Sequence, residues 1–374
     1  MGSRTRAGNA AARIAAAVST GSPGRLSAPP PTAYAAAPRR EPVPLTGTLV
    51  DTQGRVVRDL RISVTDRCNL RCVYCMPAEG MPWLPKEELL TFEELTRFAR
   101  VCLALGVTGI RLTGGEPTVR ADLPKLVRML ADLAPGLDLS ITTNGLKLAA
   151  MSEALRDAGL TRVNVSLDTL DRGRFLQIAR RDRFHEVIAG LEAARRAGFR
   201  PIKVNAVLMR GFNEDEVVPL ARWARGEGYE LRFIEWMPLD FQHAWSRERL
   251  VPASEILARL GEALPLEPAR VEDPGAPASL YRYRDGSGRV GVIASVTRPF
   301  CGHCDRIRLT ADGQIRTCLF ALKEYDFRRA LRGGASDQEI AGLLAAAVWR
   351  KEPGHLVNNP AFVQPARGMS AIGG

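Results

Sequence analysis

From residue 60 onward, short apolar runs alternate with longer stretches whose apolar residues recur every three or four positions. Strand-like runs cover 60–65, 109–113, 137–143, 162–167, 202–208 and 231–236. Helix-like segments between them cover 92–105, 123–133, 148–158, 184–197 and 214–225. The two periods are those of a pleated strand and an amphipathic helix. Gly106, Gly159 and Gly198 each follow a helical pattern and read as its stop, because glycine enters the left-handed conformation at little steric cost. Repeated strand–helix alternation predicts a parallel sheet with right-handed crossovers.

Each strand-like run ends in polar or glycine residues, such as Asp66-Arg67-Cys68, Gly114-Gly115-Glu116, Thr143-Asn144-Gly145 and Ser166-Leu167-Asp168. Sites of parallel α/β folds gather at the carboxyl ends of the strands. The expected fold is therefore α/β, an incomplete (β/α)6 TIM-like barrel facing one mouth. Near residue 240 the pattern changes. A loop with Trp245, a short helix near 254–260 and a Pro-rich stretch lead to strand-like 281–284 and 290–296, then helix-like 326–331 and 337–349. The chain thus divides into a basic Ala/Pro-rich extension over 1–46, expected to be disordered, a partial barrel over 47–240, and an appended C-terminal α+β region over 241–374.

Composition changes this picture little. The hydrophobic fraction of 45% and charged fraction of 25% are those of a globular chain, and no apolar run reaches the roughly 20 residues of a bilayer-spanning helix. The net charge of +11 is uneven: residues 1–40 carry six arginines and no acid. Such a segment suits a solvated tail, or a transit peptide that would direct the chain to the mitochondrial matrix. The body is mildly basic, which is compatible with a polyphosphate ligand and too weak to imply a nucleic-acid surface. Seven cysteines without a secretory signal suit a reducing, cytoplasmic compartment.

Six of those cysteines form two groups. Cys68, Cys72 and Cys75 are spaced C-x3-C-x2-C directly after the first strand. Three thiolates can hold an iron–sulfur cube at three corners and leave one iron open. A zinc knuckle lacking its fourth ligand and a redox Cys-x-x-Cys pair are the simpler alternatives. Cys301, Cys304 and Cys318 repeat the count of three, with His303 an optional fourth ligand. Cys102, within a helical pattern, reads as a core residue. Arg61, Arg111, Lys203, Arg306 and Arg308 lie on strand-like runs where alternate residues would point inward together, and guanidinium forks suit phosphate oxygens.

These motifs together resemble the radical S-adenosylmethionine (SAM) superfamily: C-x3-C-x2-C with an aromatic before the last cysteine, then Gly114-Gly115-Glu116-Pro117. The run Arg58–Cys68, the C-x2-C-x13-C group and the terminal Gly-Gly resemble one branch closely, the GTP 3′,8-cyclase (molybdenum cofactor biosynthesis protein A) family. The resemblance runs from about residue 49 to the C-terminus.

It implies two 4Fe–4S clusters, a SAM cluster on Cys68, Cys72 and Cys75 and a substrate cluster on Cys301, Cys304 and Cys318. It implies SAM contacts at Tyr74, Gly115, Ser166 and Met237, and GTP contacts at Arg61, Arg111, Thr142, Lys203, Arg306, Ile307 and Arg308. Arg61, Arg306, Arg308, Gly373 and Gly374 would serve catalysis. The implied reaction is radical abstraction of the ribose C3′ hydrogen of GTP by a 5′-deoxyadenosyl radical. Attack on C8 then gives (8S)-3′,8-cyclo-7,8-dihydroguanosine 5′-triphosphate, the first step of molybdopterin biosynthesis. Implied partners are GTP, SAM, a low-potential electron donor and, downstream, cyclic pyranopterin monophosphate synthase, with no nucleic acid or membrane. The sequence leaves a homodimer open. The competing readings are a radical SAM peptide-modifying enzyme with an auxiliary cluster and a non-catalytic iron–sulfur sensor.

Overall fold

The computed structural model describes residues 47–270 and 272–373. The extension expected to be disordered and Gly374 lie outside the described residues. Six strands follow the apolar runs: β1 (Asp59–Ser63), β2 (Gly109–Thr113), β3 (Asp138–Thr143), β4 (Arg162–Ser166), β5 (Ile202–Leu208) and β6 (Glu230–Glu235). All pair in parallel with their sequence neighbours. Helices α1 (Phe92–Ala104), α2 (Leu123–Ala131), α3 (Leu148–Asp157), α4 (Arg172–Ala179), α5 (Phe184–Arg196) and α6 (Val217–Glu227) fill the crossovers. Gly106, Gly159 and Gly198 take φ of 88°, 103° and 81°, as helix stops require. Helix α1 starts on a capping box between Thr91 and Glu94. The pattern over 214–225 resolves into a 3-10 turn, Glu214–Glu216, followed by α6.

The C-terminal residues extend this sheet at both edges. They supply α7 (Ala253–Ala263), β7 (Leu266–Pro268), β8 (Ser279–Tyr283), β9 (Arg289–Ile293), β10 (Arg306–Leu309), β11 (Gln314–Arg316), β12 (Tyr325–Asp326), α8 (Phe327–Arg332), α9 (Asp337–Trp349) and α10 (Met369–Ile372). Strand β9 pairs in parallel with β6, and β10 in parallel with β1. The sheet therefore runs β12-β11-β10-β1-β2-β3-β4-β5-β6-β9-β8-β7. The segment between β9 and β10, which carries Cys301 and Cys304, passes from one edge of the parallel set to the other.

The two faces of the parallel strands differ in chemistry. One presents Leu60, Ile62, Ile110, Leu112, Ile141, Val163, Val204, Phe233 and Ile307, all essentially buried in the main core against the helices. The other presents Arg61, Arg111, Ser140, Asn164, Lys203, Arg232, Arg306 and Arg308 toward the barrel interior, since side chains alternate along a strand. In register, Arg308 sits opposite Arg61, Arg61 opposite Arg111, and Arg111 opposite Ser140. One layer toward the strand starts, Arg306 sits opposite Asp59.

The C-terminal helices also seal the core. Phe98 of α1 meets Phe327 of α8 edge-on, with ring centroids 5.5 Å apart. Both rings are buried. Arg97 of α1 donates to Asp337 at 2.8 Å. Phe98→Ala should destabilise the protein by about 3–5 kcal/mol and weaken barrel and C-terminal residues together. Denaturant unfolding followed by hydrogen exchange checks this; a loss confined to one side of the 240 boundary would contradict the shared sheet.

Candidate active site

The first cysteine group lies in the loop after β1. Its backbone is tied to the end of α4, with Arg71 N donating to Ala179 O at 3.0 Å and Val73 N to Ile178 O at 2.9 Å. A tight turn brings Cys75 N and Met76 N to Cys72 O at 2.9 and 3.0 Å. Leu70 N donates to Cys68 Sγ at 3.4 Å. Gly114 and Gly115 lie directly behind this loop. A Cβ on Gly115 would sit 2.3 Å from Asp66 O and 2.5 Å from Arg67 O, so only glycine lets the end of β2 pack there. Gly115 N donates to Thr65 O at 2.8 Å.

Buried carboxylates hold the strand ends in place. Glu116 accepts from Asn144 N at 2.6 Å and from the Thr143 hydroxyl at 2.7 Å. Asn144 in turn reaches Asn69 Oδ1 at 2.7 Å. Tyr74 OH donates to Asp168 Oδ2 at 2.8 Å, and Val207 N to Asp168 Oδ1 at 2.8 Å. Burial raises Asp168 to about 6. Glu235 accepts from Ala253 N, Val296 N and Thr297 N, each at 2.8 Å.

The second cysteine group sits at the other end of β1. Arg58 N and Asp59 N donate to Asp305 O at 2.9 and 3.2 Å, so Cys304 adjoins the start of β1 while Cys68 follows its end. A cleft is lined by Cys301, Cys304, Cys318, Met237, Arg306 and Arg308, among others. Arg55, in the turn before β1, donates to Cys301 O at 2.7 Å, Pro353 O at 3.0 Å and Glu352 O at 2.6 Å. Asp51 holds its Nε at 2.6 Å.

All seven cysteines are free, and the six of the two groups are half-buried. Burial pushes Cys68 and Cys318 up to about 11 and Cys75 up to about 12. It also raises Cys72 strongly, with Cys68 and Cys75 adding to the effect. Such close thiols ionise together only when a cationic centre joins them. Among the described residues no three His, Cys, Asp or Glu side chains converge as ligands of a single metal ion. Cys102 is buried in the core, as expected.

The barrel interior between the triplets is crowded with cations. Asp59 lies among them, 3.9 Å from Arg61 and 4.0 Å from Arg111. Burial works to raise Asp59, yet Arg61, Arg111, Arg306 and Arg308 outweigh it and hold it low. Arg61 Nε and Arg306 Nε are buried without a hydrogen-bond partner. Burial, with Arg111 beside it, brings Arg61 down to about 9. Burial and Arg232 bring Lys203 down to about 7. Orphaned donors on buried cations mark a place for an anion.

The C-terminal tail reaches into this interior. Arg308 Nη1 donates to Gly373 O, and Ser370 hydrogen-bonds Cys75. Gly373 has φ 84°, and a Cβ there would lie 2.6 Å from Thr113 Oγ1. Of the residues expected at the site, Ile307 differs from the rest: its side chain is fully buried on the helix-facing core side, leaving only its main chain to approach a ligand. Thr142 and Ser166 share the interior face, and Met237 lines the cleft. Arg55, Arg232 and Lys351 were not singled out by sequence reasoning. For Arg232 the signal was present, because it alternates with Leu231 and Phe233 as Arg61 does with Leu60 and Ile62.

Two family models divide the chain between them. The Radical SAM superfamily matches residues 62–224 and Molybdenum Cofactor Synthesis C matches residues 229–357. A GTP 3′,8-cyclase of Streptomyces coelicolor is 54% identical over 328 residues, covering 87% of this chain and 96% of that one. The chain belongs to the GTP 3′,8-cyclase family. Its relative in Mycobacterium sp. (strain KMS) is 53% identical over 333 residues, covering 89% of this chain and 95% of the other. The crystal structure of Streptococcus suis SuiB bound to S-adenosylmethionine shares the fold, with a TM-score of 0.56 at 14% identity, covering 85% of this chain and 76% of that one. Among the described residues no helix is long and apolar enough to cross a membrane.

Lys203 gives this family member a pH signature. Its folded value near 7 lies below the ordinary 10.5. Between those values the unfolded chain binds the proton and the folded chain does not, so stability rises with pH. The melting temperature of the ligand-free protein should climb from pH 7 to pH 9, and Lys203→Met should flatten that slope. An equal slope in the variant would remove Lys203 as its source.

Proposed function

We propose that the chain is a radical SAM enzyme that cyclises GTP between carbons 3′ and 8, as the first committed chemistry of molybdenum cofactor assembly. The observation that carries this reading is the interior row Arg308–Arg61–Arg111 with orphaned donors on Arg61 and Arg306, set between two cysteine triplets. A triphosphate supplies the missing anion in forms that guanidinium groups bind bidentately.

Cys68, Cys72 and Cys75 would hold one 4Fe–4S cluster, and Cys301, Cys304 and Cys318 a second. When bound, the clusters and SAM supply the electrons and the hydrogen-abstracting 5′-deoxyadenosyl radical. The chain's own residues orient and enclose. Tyr74 is fixed by Asp168 beside the first triplet, where it, Gly115, Ser166 and Met237 would line the SAM position. Arg61, Arg111, Thr142, Lys203, Arg306 and Arg308 would grip GTP from the interior face, with Ile307 contributing main chain alone. Fixing nucleotide and SAM in one enclosed lumen removes the entropic cost of their encounter and excludes water from a reactive site. Gly373 O accepts from Arg308 and would hold that guanidinium for catalysis; Gly374 follows it in the sequence. A low-potential electron donor and a downstream cyclic pyranopterin monophosphate synthase complete this reading, in a reducing compartment such as the cytoplasm.

Anaerobic incubation of the reconstituted protein with SAM, a reductant and GTP should yield 5′-deoxyadenosine and a cyclised nucleotide in step. Formation of 5′-deoxyadenosine while GTP persists would overturn the substrate assignment. Cys318→Ser should retain SAM cleavage and lose the cyclised product.

Gly373→Ala should lower kcat for product formation at least tenfold with SAM affinity little changed, because the added methyl collides with Thr113. Isothermal titration with SAM beside product assays separates the two effects; an unchanged kcat would show that the tail need not hold this path.

A further inference from the structure

The second triplet has a fixed cation of its own. Lys351 follows α9 by two residues and closes its last turn, with its backbone N donating to Val348 O at 2.9 Å. Its side chain is only 3% exposed. The ammonium donates to Cys304 O at 2.8 Å and Arg306 O at 2.7 Å, and lies 3.6 Å from Cys304 Sγ. Its three donors are therefore all used, one of them on sulfur. Two carbonyls do not neutralise a buried ammonium, and a buried charge is costly without a counter-charge. The nearest group able to carry that counter-charge is the Cys304 sulfur.

The two triplets differ in this respect. At the first triplet the donors to sulfur are neutral, Leu70 N at 3.4 Å and Asn144 Nδ2 at 3.9 Å, both to Cys68 Sγ. At the second, the ammonium of Lys351 reaches Cys304 Sγ at 3.6 Å. Arg306 is anchored in turn, with its guanidinium over the Phe300 ring at 4.7 Å and its Nη2 donating to Gly275 O at 3.0 Å.

We propose that Lys351 tunes the second iron–sulfur cluster, acting through Cys304 to raise its reduction potential relative to the first. Reduction adds one electron from an external reductant and so one negative charge to the cluster. A fixed ammonium donating to a ligand sulfur stabilises that added charge, and hydrogen bonds to the sulfurs and local charge are among the factors that set cluster potentials. Lys351 is a positioning residue here: it touches the ligand and not the substrate. The inference rests on the two-cluster reading above. It makes the cluster beside the nucleotide the more easily reduced of the two, and reserves the lower potential for the triplet where SAM would bind.

The test is an EPR-monitored redox titration of the anaerobically reconstituted full chain, with Cys318→Ser and Cys72→Ser assigning the two signals. Lys351→Gln keeps a hydrogen-bonding side chain and removes the charge. It should lower the ratio of reduced to oxidised second cluster about tenfold at a fixed poise, which is a shift of about 59 mV for one electron. The first cluster should stay in place, and Lys351→Arg should recover most of the shift. An unchanged second midpoint in Lys351→Gln, or equal shifts at both clusters, would overturn the proposal. If Lys351→Gln does not hold the cluster, the unmodified protein decides: 15N-lysine labelling should give a nitrogen hyperfine coupling to the reduced second cluster, and its absence would refute the contact. Failure of the two-cluster reading is distinct, since Cys318→Ser would then leave the iron content of the chain unchanged.

Discussion

A barrel interior that buries several arginines beside few acids is an unfinished electrostatic structure. Asp59 sits among Arg61, Arg111, Arg306 and Arg308, and two guanidinium Nε atoms find no acceptor. The depressed values of Arg61 and Lys203 express the same cost. The sheet tolerates it because its other face buries a continuous apolar core against the helices. That core carries the stability, and the lumen is left free to be selective. An anionic ligand entering it meets donors already desolvated and already aimed, so little reorganisation accompanies binding.

The open barrel needs help to hold such a lumen together. Strands β9 and β10 supply it by extending the two edges of the six-strand set, and the chain between them brings Cys301 and Cys304. Completion of the sheet and placement of the second triplet are thus one structural event. Arg55 and Lys351 then fasten the cysteine segment through its carbonyls from opposite ends of the sequence. At the mouth the fastening is done by carboxylates. Glu116 and Glu235 gather N–H groups from the loops after the strands, and Asp168 joins the Tyr74 hydroxyl to Val207 N of β5.

Local pattern carried the sheet. Runs such as 202–208 and 109–113 coincide with β5 and β2, because alternation against a buried helix layer leaves a period-2 trace. The inward cations were legible for the same reason: Arg61, Arg111 and Lys203 interrupt apolar runs at the alternate positions. What escaped was non-local or short. Helix α4 has eight residues and a polar start, too brief for a clear period. Strand β7 has three residues. The parallel pairing of β10 with β1 joins residues about 250 positions apart and leaves no mark in either segment. A motif carried over as a block does not tell apart residues on opposite faces of a strand: Arg306 and Arg308 face the lumen, while the Ile307 side chain is buried in the core and only its main chain can face a ligand. Lys351 reads in sequence as one more cation in a polar stretch, and only burial against Cys304 distinguishes it.

The two ends of the lumen are mechanically joined by the last residues of the described chain. Ser370 touches Cys75 at the mouth, and three residues later the Gly373 carbonyl occupies Arg308 in the cation row. Helix α10, only four residues long, therefore spans from a cysteine of the first triplet to a guanidinium that lines the cleft of the second. A polyanion that takes Arg308 must release that carbonyl, and the release acts on a segment whose other end rests on the first triplet. One short element thus touches both the surroundings of Cys75 and the cation row.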